Sequence, residues 1–114
     1  MEVRKDPLAE EILKATRFYL VNKKVIKHFG LGVGMYLELL QVIEEYVEKR
    51  DGWFEMQPRT VVELLELPII SQWQCDEELE KARILEKEYV IRHDTGVYFC
   101  KLNHEKIREI EEEE

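Results

Sequence analysis

The chain has 114 residues, 45% of them hydrophobic and 37% charged, with a formal net charge of −8. That length suits one domain with a modest core, and the composition excludes wholesale disorder. Charge is unevenly spread: residues 1–30 hold seven Lys/Arg against four Asp/Glu, and residues 31–114 hold ten against twenty-one. The averaged field repels nucleic acid at long range, so any DNA contact has to be local or supplied by a partner.

No apolar run approaches the roughly 20 residues of a membrane span. The start, "MEVRKDPLAEE", lacks the charged-then-apolar layout of a secretory signal. The expectation is an intracellular, cytoplasmic protein (host cytoplasm if the source is viral) that makes no membrane contact. High Glu plus Lys with few Asn is compatible with a thermophilic source.

In chain order, Asp6 is a good N-cap with Pro7 at the first helical position, and Leu8, Ile12 and Leu13 give a short apolar stripe. "RFYLVN" reads as a brief strand or an extended approach to the core. "KKVIKHFG" reads as a short helix closed by Gly30. The strongest periodic signal lies in "LGVGMYLELLQVIEEYVEKRDG". Met35, Leu39, Val42 and Tyr46 fall on one line, and Tyr36, Leu40, Ile43 and Val47 on the next. Asp51-Gly52 is expected to stop this helix, and "WFEMQ" alternates as a short edge strand would.

"RTVVELLEL" predicts a helix capped by Thr60 and ended by Pro68, and Ser71 is expected to cap the next one. In that next helix Cys75, Leu79, Ala82 and Leu85 form the inward stripe, leaving Asp76, Glu77, Glu80 and Lys81 outside it. "EYVIRHDTGVYFCKL" reads as a hairpin with Asp94, Thr95 and Gly96 in its turn. "HEKIREIEEEE" finishes as a short helix anchored by Ile107 and Ile110. Its acidic end is a solvated, frayed terminus or the point where a longer chain was cut.

The predicted fold class is α+β, mostly helical: a winged helix-turn-helix with extra helical segments at both ends, the strand after the long helix completing a small sheet with the wing. An α+β domain of different topology is the competing arrangement. The expected division is an N-terminal helical extension over residues 1–22, a winged-helix domain over 23–103, and an acidic C-terminal helix and tail over 104–114.

Several stretches resemble the N-terminal domain of DnaD-like and phage replisome-organiser proteins. In "KHFGLGVGMYLELL" the residues Gly32, Gly34, Met35 and Tyr36 match the family's Gly-x-Gly-hydrophobic-Tyr run, with a loop before Gly32 about one residue short. "DGWFE" matches its Asp-Gly-aromatic start to the first strand. "DEELEKARILEKEYVIRHDTGVYFCKLN" is similar to its last helix and wing, with Tyr89-Val90-Ile91 where the family has Gly-Leu-Ile. The similarity covers roughly residues 23–103. It implies a winged helix used in DNA replication for self-association or for gripping a helicase-loading partner, and it does not imply catalysis. In such proteins a separate C-terminal region commonly carries DNA binding, which makes this chain a stand-alone relative or an N-terminal fragment.

In the helix next to the wing, a DNA reader usually presents Arg and Lys; here Asp76, Glu77, Glu78 and Glu80 stand instead. Four carboxylates near phosphates lose the backbone attraction that supplies most affinity. Acids also suit a helix's first turn, which accounts for part of the pattern. Trp73, Asp76, Glu77, Glu80 and Tyr36 are therefore expected at a partner interface, with core or flank as the bland reading of Trp73. Arg17, Lys23, Lys24 and Lys27, with Arg92 and Lys101 on the wing, are the candidates for nucleic-acid contact. A solvated face, or pairing with the acidic helix of a second copy in a homodimer, would account for the same cations.

Cys75 and Cys100 read as two buried thiols, with a disulfide between the last helix and the wing as the alternative. Their spacing to His28, His93 and His104 matches no zinc pattern, and neither metal nor cofactor is expected. No nucleophile elbow or P-loop appears, and "GLGVG" lacks the preceding strand of a dinucleotide site, so no enzyme is expected. The first functional expectation is a replication-organiser protein of phage or mobile-element type that acts through a homodimer or a replication-protein partner. A winged-helix transcriptional regulator, contacting DNA through its basic N-terminal segment and wing, is the second. An acidic decoy occupying a basic groove is the third.

Overall fold

The computed structural model describes residues 7–8 and 22–113. Pro7 and Leu8 are helical, and Leu8 packs on the core. The Asp6 cap, Arg17, Ile12, Leu13 and all of the "RFYLVN" segment except Asn22 lie outside the described residues.

Helix α1 (Lys23–Phe29) starts at Asn22, whose Oδ1 accepts from the backbone N–H of Lys24 at 2.8 Å and of Val25 at 3.4 Å. Gly30 ends it at φ 93°, in a region that favours glycine, and is also the residue preceding α2 (Leu31–Tyr46). Gly34 lets α1 approach closely, since a Cβ there would lie 3.2 Å from Ile26 Cγ1, whereas one at Gly32 would meet nothing within 4 Å. Along α2 the buried arc is rotated from the expected lines. Leu37 and Glu44 are interior, while Met35 and Tyr46 are partly exposed.

Helix α2 also stops sooner than expected. Val47 is already extended, β1 (Lys49–Arg50) pairs antiparallel with β2 (Trp53–Met56), and Asp51-Gly52 is the two-residue turn between them. Asp-Gly has both positions at positive φ, as a tight hairpin requires. Helix α3 (Pro58–Leu65) begins with Pro58 at its first position; Thr60, expected as its cap, is buried inside it. Helix α4 (Ile69–Lys81) begins after Pro68, so Ser71 lies within it and caps nothing. The α3–α4 turn is fastened by Gln72, whose Nε2 donates to the carbonyls of Pro58 and Leu67, each at 3.0 Å.

Helix α4 ends before Arg83, which takes φ 60°, and Leu85 opens a strand instead of extending the helical stripe. Strands β3 (Leu85–Arg92) and β4 (Thr95–Leu102) form the hairpin. Its turn is His93-Asp94 at φ 48° and 64°, one residue earlier than expected, because Thr95 and Gly96 pair with Arg92 and Ile91 in the ladder. The four strands run antiparallel in the order β1-β2-β4-β3, so the strand after the long helix does share a sheet with the hairpin. One face carries Phe54, Met56, Leu85, Cys100 and Leu102 onto the helices; the other carries Trp53, Glu55, Phe99 and Lys101. Helix α5 (His104–Glu111), capped by Asn103, returns to α1 and adds Ile107 and Ile110 to the same core. Full burial of a Leu, Ile or Phe in such a core contributes about 1.5–3 kcal/mol.

Candidate interaction surface

The pair α3 and α4, joined by Glu66, Leu67 and Pro68, presents an apolar surface. Glu66 takes a left-handed conformation at φ 55° and turns the chain before Pro68 releases it into α4. Ile70 is 68% exposed and Trp73 50% exposed at the start of α4, where Ile69 is exposed too, and Val62 is exposed on α3. Further along the same helix Glu77 pairs with Lys81 at 3.3 Å, both in solvent, a contact of little energetic weight. A groove of about 460 Å³ separates Ile69 and Pro58 from the hairpin residues Val97 and Tyr98. Helix α4 thus offers Ile70 and Trp73 first and mixed charge afterwards.

Asp76 does not belong to that surface. It is 2% exposed, and the Tyr36 hydroxyl donates to its Oδ1 at 2.5 Å while Lys87 Nζ donates to its Oδ2 at 2.6 Å. A carboxylate enters an interior only with such partners, because an unpaired buried charge costs several kcal/mol. The three residues stitch α2, α4 and β3 together, and Lys87 also lies 4.6 Å from the Tyr98 ring centroid. Burial pushes the Tyr36 hydroxyl well above the usual tyrosine range, and the Asp76 charge and hydrogen bond add to it. The expectation that Tyr36 and Asp76 face a partner is corrected: both are interior, and they face each other. Lys87 was missed because the helical stripe was carried on to Leu85 and the hairpin begun at Glu88; in β3 it shares a face with Leu85 and Tyr89.

Glu77 and Glu80 are exposed as expected, and Glu80 lines a second groove with Arg83, Glu86, Lys101 and His104. Of the expected cations, Lys23 and Lys27 are exposed on α1 and Lys24 is half-buried there. That helix packs on α2 and α5, and the acidic end of α5 approaches it: Asn22 Nδ2 donates to Glu111 Oε2 at 3.4 Å, and His28 Nδ1 lies 3.9 Å from Glu113 Oε2. Arg92 is exposed at the tip of the β3–β4 hairpin with its guanidinium 5.2 Å from the Phe99 ring centroid. The side chain of Lys101 runs over Gly52 on the outer sheet face. The cations of α1 and those of the hairpin therefore belong to elements with different neighbours, not to one element.

Glu44, which periodicity did not single out, is buried on α2 and accepts from His104 Nε2 at 2.7 and 3.0 Å, tying α5 to α2. Cys75 and Cys100 are free and buried. Burial, with Asp76 adding, pushes the Cys100 thiol up to about 12. Among the described residues no group of three His, Cys, Asp or Glu side chains is placed to hold a metal ion. No helix among them is long and apolar enough to cross a membrane. Compared with protein-family models, curated proteins and solved structures, the chain matches none.

Proposed function

We propose that this chain is a non-enzymatic winged-helix protein of the phage or mobile-element replication-organiser type, acting in the cytoplasm by self-association and protein–protein contact within a nucleoprotein assembly. Three features support the reading. Helices α2, α3 and α4 precede a hairpin that shares a sheet with β2, the element order a winged helix requires. The Gly34-Met35-Tyr36 run and the "DGWFE" turn are those that resemble DnaD-like proteins.

The observation that carries the proposal is the exposed face of α4. A reader helix needs cations near phosphates, and this one leads with Ile70 and Trp73 and follows with Glu77, Glu78 and Glu80 against the single cation Lys81. A half-exposed Trp beside exposed Ile residues fits an anchor for a protein partner. The exposed Lys23 and Lys27 of α1, with Arg92 at the wing tip, favour the second reading, a regulator that grips the DNA backbone.

Titration of labelled duplex and single-stranded DNA at about 50 and 200 mM salt separates the two, because phosphate contacts weaken steeply over that range. No binding at either salt is expected. Tight binding that collapses at the higher salt, and that Lys23→Glu with Lys24→Glu abolishes, would sink the proposal in favour of the regulator.

A further inference from the structure

We infer that the free edge of β3 is a self-pairing strand, through which two copies of this chain join antiparallel with Val90 opposite the partner's Val90. The inference rests on the self-association part of the function proposed above and names the surface that performs it.

Among the described residues the sheet order leaves β3 at an edge, with β4 on one side only. The turn residues His93 and Asp94 are both left-handed, as in a type I′ turn, whose bond runs from the Thr95 N–H to the Arg92 carbonyl. Arg92 therefore directs its backbone groups at β4, and so do Val90 and Glu88 by alternation. Lys87, Tyr89 and Ile91 direct theirs away from the sheet. The Lys87 side chain is engaged with Asp76, which ties the start of the strand to α4. Beyond it Tyr89 is 56% and Ile91 69% exposed. Ile91 stands opposite Gly96, which has no side chain of its own and is covered by the Tyr89 ring as that ring leans on Tyr98.

Edges are normally protected by charge, proline or a bulge. The register of β3 on β4 is continuous, and Tyr89-Val90-Ile91 carries neither charge nor proline. The strand is also complementary to itself. With Val90 on the two-fold axis, Tyr89 faces the partner's Ile91 and Glu88 faces the partner's Arg92, each contact occurring twice by symmetry. Tyr89 and Ile91 are also the residues whose N–H and C=O groups point outward, so the apolar pairs coincide with the hydrogen-bonded pairs. Moving the axis to Tyr89 would set Lys87 against the partner's Ile91 and leave Val90 against the partner's Glu88. The Val90 register is the one that matches charge with charge and apolar with apolar.

Sedimentation velocity on the full chain from about 1 µM to about 1 mM, the span in which weak dimers register, tests this. The wild type is expected to dimerise, and Glu88→Arg to weaken the dimer about tenfold or more by placing like charges opposite at two sites. The swap Glu88→Arg with Arg92→Glu is expected to restore it. Ile91→Pro, which removes an outward N–H while sparing the ladder to β4, is expected to abolish the dimer with the far-UV spectrum and melt retained. A dimer indifferent to Glu88→Arg and Ile91→Pro overturns the β3 pairing and leaves self-association standing on another surface. A loss that the charge swap does not restore also overturns the pairing. A chain that stays monomeric throughout overturns both the pairing and the self-association it rests on.

Discussion

Lys87 on β3 donates to Asp76 on α4 at 2.6 Å, and both side chains are withdrawn from solvent, 14% and 3% exposed. With Tyr36 on the other carboxylate oxygen, Asp76 is satisfied from two elements, and the hairpin is held to the helix pair through one charge. Removing Asp76 leaves the Tyr36 hydroxyl and the Lys87 ammonium without their shared acceptor, whereas removing Lys87 leaves the carboxylate with the Tyr36 hydroxyl. Asp76→Ala should destabilise the fold by about 3–5 kcal/mol, measured as a shift in the urea midpoint at unchanged slope. Lys87→Met should cost less than Asp76→Ala, and the double variant Asp76→Leu with Lys87→Met less than the sum of its singles. Additive costs would show that the two side chains do not act as a unit.

A pH dependence follows from the same region. Burial pushes the Cys100 thiol from 9.0 up to about 12, and it also raises Tyr36 and Cys75. An acid with a raised folded pKa keeps its proton after the unfolded chain has lost it. Its contribution is therefore intact below about pH 9 and declines as pH climbs toward about 12. Denaturant midpoints at about pH 7, 9 and 10.5 should fall mainly across the last interval, and Cys100→Ala should fall less steeply there. A midpoint unchanged at the highest pH would refute the assignment.

Gly30 joins two helices at φ 93° and ψ 165°, with nothing within 4 Å of an added Cβ. The cost of Gly30→Ala is therefore backbone strain without a clash, about 1–3 kcal/mol. The melting temperature should drop accordingly. A Gly32→Ala variant, where φ is ordinary and space is open, should melt at or above the wild type.

Trp73 is 50% exposed whereas Phe54 is fully buried. Trp73→Ala should change stability by no more than about 0.5 kcal/mol, and Phe54→Ala should cost about 3–5 kcal/mol. Emission spectra give a second readout: loss of Trp73 should remove the red-shifted component and leave that of half-buried Trp53. A large destabilisation by Trp73→Ala would place that indole in the core and remove the main support for a partner surface.

Much of the architecture was legible along the chain. The glycine after α1, the apolar run of α2, the strand at Trp53, the hairpin and the Ile107–Ile110 anchors are signals carried by neighbours a few residues apart. The misplaced boundaries share a cause. At Asp51-Gly52, Thr60, Ser71 and Leu85, residues that suit a stop, a cap or a helix met a competing use in the observed fold. Asp51-Gly52 makes a hairpin turn, Pro58 and Pro68 start their helices earlier, and Leu85 pairs with Leu102.

The sequence by itself determined the order of the helices, the strand at Trp53 and the hairpin, because periodicity and turn residues act over one or two helical turns. Only the tertiary structure decided which acids of α4 are surface. Asp76 sits beside the inward stripe and looks, by spacing, like its exposed neighbours Glu77 and Glu80. It turns inward because Tyr36, forty positions before it, and Lys87, eleven after it, arrive at its two oxygens together. That meeting depends on how α2, α4 and β3 pack, and a charge is drawn into an interior only by partners that packing delivers.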